Sequence, residues 1–285
     1  MREISGLHNL IRRALEEDLG PGDVTTSSVL TGEEKGFALA IAKADMVVAG
    51  IEVFKEVFFS LDPDIRFIRS TVDGQEAGPG DILAEVSGNL ANILRAERTA
   101  LNLLQRMCGV ATHTMRFAGE IRGTQARILD TRKTMPGLRI LDKYAVRVGG
   151  GSNHRMGLYD GVLIKDNHIA AAGGIAKAVA RARRGAPHTM KVEVETGSIQ
   201  EVKEAVAAGA DIIMLDNMEI EEMREAVRLI GGRALTEASG NVNLSNVKRI
   251  AETGVDFISV GAITHSAPAA DISLKVGHQA TGVGR

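Results

Sequence analysis

Residues 190–216 read MKVEVETGSIQEVKEAVAAGADIIMLD. Met190 to Glu195 is a short apolar run, Ile199 to Ala208 carries apolar residues at helical spacing, and Asp211 to Asp216 is a second apolar run ending in a carboxylate. Strand, helix and strand within so short a stretch make one repeat of a parallel sheet. The same alternation continues on both sides. Arg127 to Thr131, Gly161 to Lys165, Ala234 to Ala238 and Asp256 to Val260 predict strands; Ile175 to Arg184, Ile220 to Ile230 and Leu244 to Thr253 predict helices. Glu195 to Asp216 and Asp216 to Glu237 are both 21 residues, so charged groups recur near the carboxyl ends of successive strands. That edge carries the active site of a (β/α) barrel. A complete eight-stranded barrel takes about 250 residues, and only about 145 lie between Arg127 and Asp271, so the expected fold is α/β with an open, incomplete barrel.

The residues before this region have a different texture. An amphipathic helix is expected from Ile4 to Leu19, stopped by Gly20-Pro21-Gly22-Asp23. Short strand-like runs, among them Phe37 to Ala42 and Ile82 to Val86, follow with a helix between them at Ile51 to Leu61. This is an α+β, sandwich-like N-terminal module over residues 1–110, with the tail from about 271 to 285 expected to pack back on it and the barrel spanning 111–270. A lipoyl or biotin carrier would need a lysine at a hairpin tip, and there is none between Arg69 and Arg95. Asn89 to Cys108 predicts a long helix ended by Gly109, and Thr112 to Ile121 a second one. Cys108 sits among Leu103, Leu104 and Met107 and reads as a small buried hydrophobe without a catalytic role.

Composition narrows the function. The 285 residues hold 34 basic and 36 acidic side chains for a net of -2, with 3% aromatics, no Trp and one Cys. A disulfide scaffold is excluded, and the charge balance argues against nucleic acid as a partner. No apolar run approaches a membrane span, and Met1-Arg2-Glu3-Ile4-Ser5 lacks a signal peptide's apolar core, so a cytoplasmic protein is expected.

The balance hides an asymmetry. Between Arg127 and Lys165 eight basic residues stand against three acidic ones, a net of +5. Arg139, Lys143 and Arg147, spaced four apart, are expected on a solvated helix face. The others fall at strand ends or beside Gly149-Gly150-Gly151: Arg132 and Lys133 after the first barrel strand, His154 and Arg155 after the glycines, and Lys165 at the end of the second strand. Cations there are placed for an anionic ligand. Glu195 and Asp216, on later strands, are hard oxygen donors suited to Mg²⁺ beside a phosphorylated substrate. The turns Ser239-Gly240-Asn241 and Val260-Gly261-Ala262 offer backbone N–H groups to a sugar phosphate. His168 and His265 are expected to orient loops. These residues leave three chemistries open: a transferase acting on a phosphorylated sugar, a Schiff-base aldolase using Lys165, and a non-catalytic anion-binding protein.

Longer motifs add a resemblance. Glu97-Arg98-Thr99-Ala100-Leu101-Asn102, Thr131-Arg132-Lys133-Thr134, Asn153-His154-Arg155, Leu163-Ile164-Lys165-Asp166-Asn167-His168, Glu237-Ala238-Ser239-Gly240 and Ser259-Val260-Gly261-Ala262 closely resemble the quinolinate phosphoribosyltransferases. The resemblance implies an N-terminal α/β module on an open barrel, and transfer of a phosphoribosyl group from phosphoribosyl pyrophosphate to quinolinate with loss of CO₂ and pyrophosphate. It implies a quinolinate pocket of Arg132, His154, Arg155 and Lys165, with Arg98 supplied by the neighbouring subunit of a homodimer or an assembly of dimers. Thr131, Lys133, Glu195 and Asp216 would face the ribose and pyrophosphate with Mg²⁺, held by Glu195 and Asp216 partly through water. Ser239, Gly240, Asn241, Val260, Gly261 and Ala262 would hold the 5′-phosphate. Lys133, Lys165, Glu195 and Asp216 are the implied catalytic residues. Two positions depart from the pattern: Asn241 stands where Gly is expected, which Asn's tolerance of positive φ allows, and Asp142 where Glu is common.

Overall fold

A computed structural model describes residues 6–278; Ile4 of the expected first helix, residues 1–5 generally and the tail 279–285 lie outside the described residues. The described residues form two units, one of 6–113, 136–149 and 267–278 and the other of 114–135 and 150–266. The division therefore differs from a single cut after residue 110, because 136–149 belong with the first unit.

In the first unit, α1 (Leu7–Leu19) buries Leu7, Ile11 and Leu15, one residue per turn of a single face. Asp23 caps α2 (Val24–Val29) by accepting from the Thr26 N–H at 2.9 Å. β1 (Lys35–Ala42), β2 (Met46–Val47), α3 (Ile51–Leu61), β3 (Arg66–Ser70), β4 (Glu76–Ala77), β5 (Ile82–Asn89) and α4 (Leu90–Glu120) follow. The main sheet runs β12-β1-β5-β3, where β12 (Ile272–His278) is the chain's last strand and pairs antiparallel with β1. Phe54 and Phe58 of α3 meet edge to face at 5.0 Å, and Phe67 of β3 packs on both, so the aromatic side chains gather here.

Two expectations fail in this unit. Gly109 does not end a helix: α4 runs through it for 31 residues. A Cβ at Gly109 would lie 2.0 Å from the Pro268 carbonyl oxygen, so the glycine serves a close backbone approach. The helix α5 (Arg139–Val148) is not a solvated basic face either, because Lys143 is fully buried; only Arg147 is exposed there. Asp142, buried beside it, accepts from Arg106 Nε and Nη2, both at 3.0 Å.

The second unit holds the six expected strands, β6 (Arg127–Leu129), β7 (Val162–Ile164), β8 (Val192–Thr196), β9 (Ile212–Asp216), β10 (Leu235–Ser239) and β11 (Phe257–Ser259). They form one parallel sheet in the order β6-β11-β10-β9-β8-β7. The two ends do not pair with each other, and one bridge from Leu129 to Ser152 extends the β6 edge. The barrel is open, as the residue count required. Helices α6 (Asp166–Ala172), α7 (Ile175–Gly185), α8 (Ile199–Ala207), α9 (Ile220–Ile230), α10 (Val247–Ala251) and α11 (Ala262–His265) connect the strands. Valines and isoleucines fill the strands, with Val192, Val194, Ile213, Leu215 and Ile258 buried, as a sheet covered on both faces demands.

Candidate active site

A cleft of about 890 Å³ in the second unit is lined by the strand ends and the loops that follow them. Thr131, Arg132 and Lys133 come from the loop after β6, His154 and Arg155 from the crossing segment beside it, and Lys165 from the end of β7. Glu195, Asp216, Ser239, Gly240, Asn241, Gly261 and Ala262 complete the wall. Val260 is not part of it; its side chain is buried in the core, and Ser259 on the opposite face lines the cleft instead. Arg98 is exposed on α4, in the first unit, and is not among the lining residues.

Each charged group is held by local structure. Asp130, fully buried at the end of β6, accepts from the His154 backbone N–H at 2.9 Å and from the Asn153 side chain, which fixes the crossing segment. Arg155 donates through Nη1 to the Gly161 carbonyl at 2.9 Å. Burial and then the nearby Arg132 guanidinium lower the Arg155 pKa from its ordinary value. Two guanidiniums brought this close are built for a strongly anionic ligand.

Lys165 Nζ lies 2.6 Å from Glu195 Oε2, and nearly half of its side chain is exposed. A Schiff-base lysine needs a neutral amine, which a desolvated apolar pocket favours. An ammonium paired with a carboxylate in a wet cleft is the opposite environment, so the aldolase alternative is not favoured. The Lys165 backbone N–H donates to His168 Nδ1 at 3.0 Å, and His265 Nδ1 pairs with Ser266 Oγ at 2.6 Å, so His168 is engaged at the start of α6 and His265 at the end of α11.

The carboxylates stand on one face of the sheet. Glu195 is level with Met214, so Asp216 projects from the same side two residues further along β9. Asn217 donates from Nδ2 to Asp216 Oδ2 at 2.8 Å and accepts from Asn241 Nδ2 at 3.0 Å. Asn217 and Asn241 both have positive φ, 54° and 49°. Gly240, at φ 94°, leaves no room for a side chain, since a Cβ there would come within 2.2 Å of Asn217 Oδ1. Asn217 thus couples the Asp216 carboxylate to the glycine turn. The turn does not lead straight into a helix, because α10 begins only at Val247. On the far wall, Thr264 Oγ1 donates to the Lys133 carbonyl at 2.8 Å.

Glu237 is level with Glu195 and Met214, yet it is buried beneath the cleft with Glu193 rather than lining it. Equal spacing along the chain does not bring equal exposure at this position. Glu193 had a signal of its own: in Val192-Glu193-Val194-Glu195 the period of two puts both acids on one face.

A barrel with a cationic pocket, paired carboxylates and a glycine turn at one edge defines an enzyme that handles phosphorylated, anionic substrates. The chain belongs to the quinolinate phosphoribosyl transferase family: the family's N-terminal domain model matches residues 23–108 and its C-terminal domain model residues 110–275. It is 44% identical over 270 residues to the probable nicotinate-nucleotide pyrophosphorylase [carboxylating] of Bacillus subtilis (strain 168), covering 95% of this chain and 93% of that one. It is 45% identical over 289 residues to the chloroplastic nicotinate-nucleotide pyrophosphorylase [carboxylating] of Arabidopsis thaliana, covering 95% of this chain and 82% of that one. Among solved structures, NadC from Streptococcus pyogenes superposes with a TM-score of 0.92 at 40% identity, covering 96% of this chain and 97% of that one.

Proposed function

We propose that the protein transfers the phosphoribosyl group of phosphoribosyl pyrophosphate to quinolinate, releasing CO₂ and pyrophosphate and forming nicotinate mononucleotide, a step of NAD biosynthesis. The observation that carries this reading is the single cleft in which Arg132, Arg155 and Lys165 face Glu195, Asp216 and the Gly240 turn. Quinolinate has two adjacent carboxylates on a pyridine ring. Arg132, Arg155 and Lys165, with His154, grip those carboxylates and aim the ring nitrogen at the ribose.

Departure of pyrophosphate leaves positive charge on the ribose, so the protein's task is to neutralise the leaving group and hold the nitrogen in line. Lys133 and Thr131 serve the pyrophosphate side, and Ser239, Gly240, Asn241, Gly261 and Ala262 the 5′-phosphate. Val260 supports its turn from within the core. Glu195 and Asp216 fit Mg²⁺: they are hard oxygen donors on one face, and Asp216 is held in place by Asn217. When bound, the ion adds charge neutralisation on the pyrophosphate. Once the nitrogen is alkylated, its positive charge stabilises the carbanion left on the adjacent ring carbon as the C–C bond breaks and CO₂ departs, and that carbon then takes a proton from water. The pocket therefore has to orient the adjacent carboxylate without binding it more tightly than the transition state.

Arg98 is assigned to the neighbouring active site of a homodimer or an assembly of dimers. The exposed Val24 and Val29 of α2 support an apolar contact surface in the same unit. No described helix is long and apolar enough to cross a membrane. A cytoplasmic location belongs to the same reading, in keeping with the single buried, unpaired Cys108.

The test is to mix purified protein, Mg²⁺, phosphoribosyl pyrophosphate and quinolinate and to measure CO₂ and nicotinate mononucleotide, with nicotinate replacing quinolinate as control. Absence of product refutes the proposal.

A further inference from the structure

Beneath the cleft, two carboxyl groups share a buried site with one histidine. Glu193 is 4% exposed and Glu237 1%. His154 Nε2 lies 3.1 Å from Glu193 Oε2 and 3.8 Å from Glu237 Oε1, and one oxygen of each acid and one ring nitrogen all fall within 4.8 Å of one another. Oε1 of each acid has no hydrogen-bond partner among the described residues. The other ring nitrogen, Nδ1, accepts from the Arg155 backbone N–H at 2.7 Å, which leaves a neutral imidazole one donor to offer two acids. Two carboxyl groups this close and this deep do not both ionise.

Among the described residues, His154 is the one group of opposite sign that acts on Glu237, and it works against burial and Glu193. Glu237's neighbours in register are Met214 on β9 and Phe257 on β11, both apolar. Besides His154 and Glu193, the charged groups round the adjoining cavity of about 640 Å³ are Arg155, Arg127, Asp160 and Lys191. Arg127 is stacked on the Phe257 ring at 4.8 Å, and Asp160 accepts from the Met156 and Gly157 backbone N–H groups. Arg155 is the cation that Glu193 favours, against burial and Arg132, which disfavour it.

We propose that Glu237 is a positioning residue for the quinolinate pocket: as a neutral acid beside Glu193 it adds no negative charge beneath Arg155, and His154 is held between the two acids. The inference rests on the reading of the cleft as a quinolinate site. A further negative charge beneath Arg155 would offset the pocket's attraction for a doubly anionic ligand and loosen the His154-Arg155 segment. Burial first, and Glu193 next, push the Glu237 carboxyl upward, in the same direction as the geometry.

The experiment measures KM for quinolinate from about pH 6 to about pH 9 in the wild type, Glu237→Gln and Glu237→Ala, with KM for phosphoribosyl pyrophosphate as the internal control. The wild-type KM for quinolinate is expected to rise by about tenfold across the alkaline part of the range as Glu237 ionises. Glu237→Gln, which has the shape of the neutral acid, loses that rise; Glu237→Ala raises KM at every pH; and KM for phosphoribosyl pyrophosphate follows neither change. The same alkaline rise in Glu237→Gln, or identical behaviour of Gln and Ala, overturns the proposal.

Thermal melting gives a readout independent of turnover. A carboxyl raised in the folded state stabilises the fold below its unfolded pKa and loses that contribution as pH rises through the folded value. The wild type should therefore lose melting temperature toward alkaline pH more steeply than Glu237→Gln; equal slopes overturn the proposal. So does a stoichiometric divalent ion in the purified wild type that Glu237→Gln lacks, since a metal would then hold the site. A wild type that melts as expected but does not turn over quinolinate refutes the functional reading and leaves the neutral Glu237 standing.

Discussion

Gly240→Ala tests whether the glycine turn and the Asp216 carboxylate work as one device. Gly240 sits at φ 94°, where an alanine costs about 1–2 kcal/mol. The added Cβ would also come within 2.2 Å of Asn217 Oδ1 and 2.9 Å of its backbone nitrogen. The side chain cannot swing aside freely, because it donates to Asp216 at 2.8 Å and accepts from Asn241 at 3.0 Å. Each of these two exposed bonds is counted at a typical net value of about 1 kcal/mol. The sum is about 3–4 kcal/mol, or a fall in melting temperature of about 6 °C for a chain of this size. Displacing Asp216 by a fraction of an ångström to one ångström should lower kcat/KM for phosphoribosyl pyrophosphate about 100-fold. KM for quinolinate, gripped on the other wall, should stay within about threefold, since none of the moved groups touches it. Differential scanning fluorimetry and steady-state kinetics with each substrate varied give these quantities. A variant with wild-type melting and wild-type kinetics for phosphoribosyl pyrophosphate would refute the coupling through Asn217.

Other expectations follow from the same geometry. Lys165→Ala and Arg155→Ala should lose quinolinate turnover while phosphoribosyl pyrophosphate binding, followed by calorimetry, partly survives; near-normal turnover in both removes them from the pocket. Replacing quinolinate by nicotinate deletes one carboxylate and leaves a cation unpaired, a loss of at least about 2 kcal/mol, so kcat/KM should fall at least about 30-fold. Chelation with EDTA should stop turnover, and added Mg²⁺ should restore it, without a change in the melting temperature of the substrate-free protein. Burial pushes the Cys108 thiol up to about 12, so the folded protein should resist a thiol reagent at pH 8 and react at once in denaturant; fast labelling of the native protein would contradict the burial.

The repeating half of the chain was legible because each of its elements carries its own signal. α9 occupies Ile220–Ile230 as the spacing predicts: Glu219 and Glu222 cap its start, and Gly231 at φ 55° takes the left-handed turn that ends it. What could not be read was decided by contacts distant in sequence. Gly109 has the look of a helix stop, but the Pro268 carbonyl, 159 residues on in the chain, is the reason for the glycine. Lys143 keeps the four-residue spacing of a surface face and is buried all the same, because α5 packs that side inward beside the Arg106 and Asp142 pair. In the site, residue types at strand ends located the cations and the two outer carboxylates. Depth was not legible: the equal spacing of Glu195, Asp216 and Glu237 gives no sign that the last lies under the floor. Strand register separates Asp216, level with Ser239, from Glu237, but it puts Glu237 level with Glu195, so the depth of Glu237 is set by what packs round it in the fold.

The near-zero net charge and the scarcity of aromatics have one structural explanation. Phe54, Phe58, Phe59 and Phe67, four of the chain's seven phenylalanines, pack against one another in the first unit, and among the described residues no Phe or Tyr lines the cleft. A pyridine ring there has no aromatic face to stack on, so discrimination falls to its carboxylates. That choice makes the charge of the floor matter. In the proposed quinolinate pocket, with stacking absent, the ligand would be held mainly by Arg132, Arg155 and Lys165, and negative charge beneath them would weaken those contacts. Lys165 already shares Glu195 at 2.6 Å, and Arg155 has Glu193 below it. An ionised Glu237 would add a further negative charge beneath the pocket and weaken its net attraction for a dianion. The burial of Glu237 next to Glu193, which keeps one of the two neutral, is therefore part of how a chain with a net charge of -2 maintains a positive pocket.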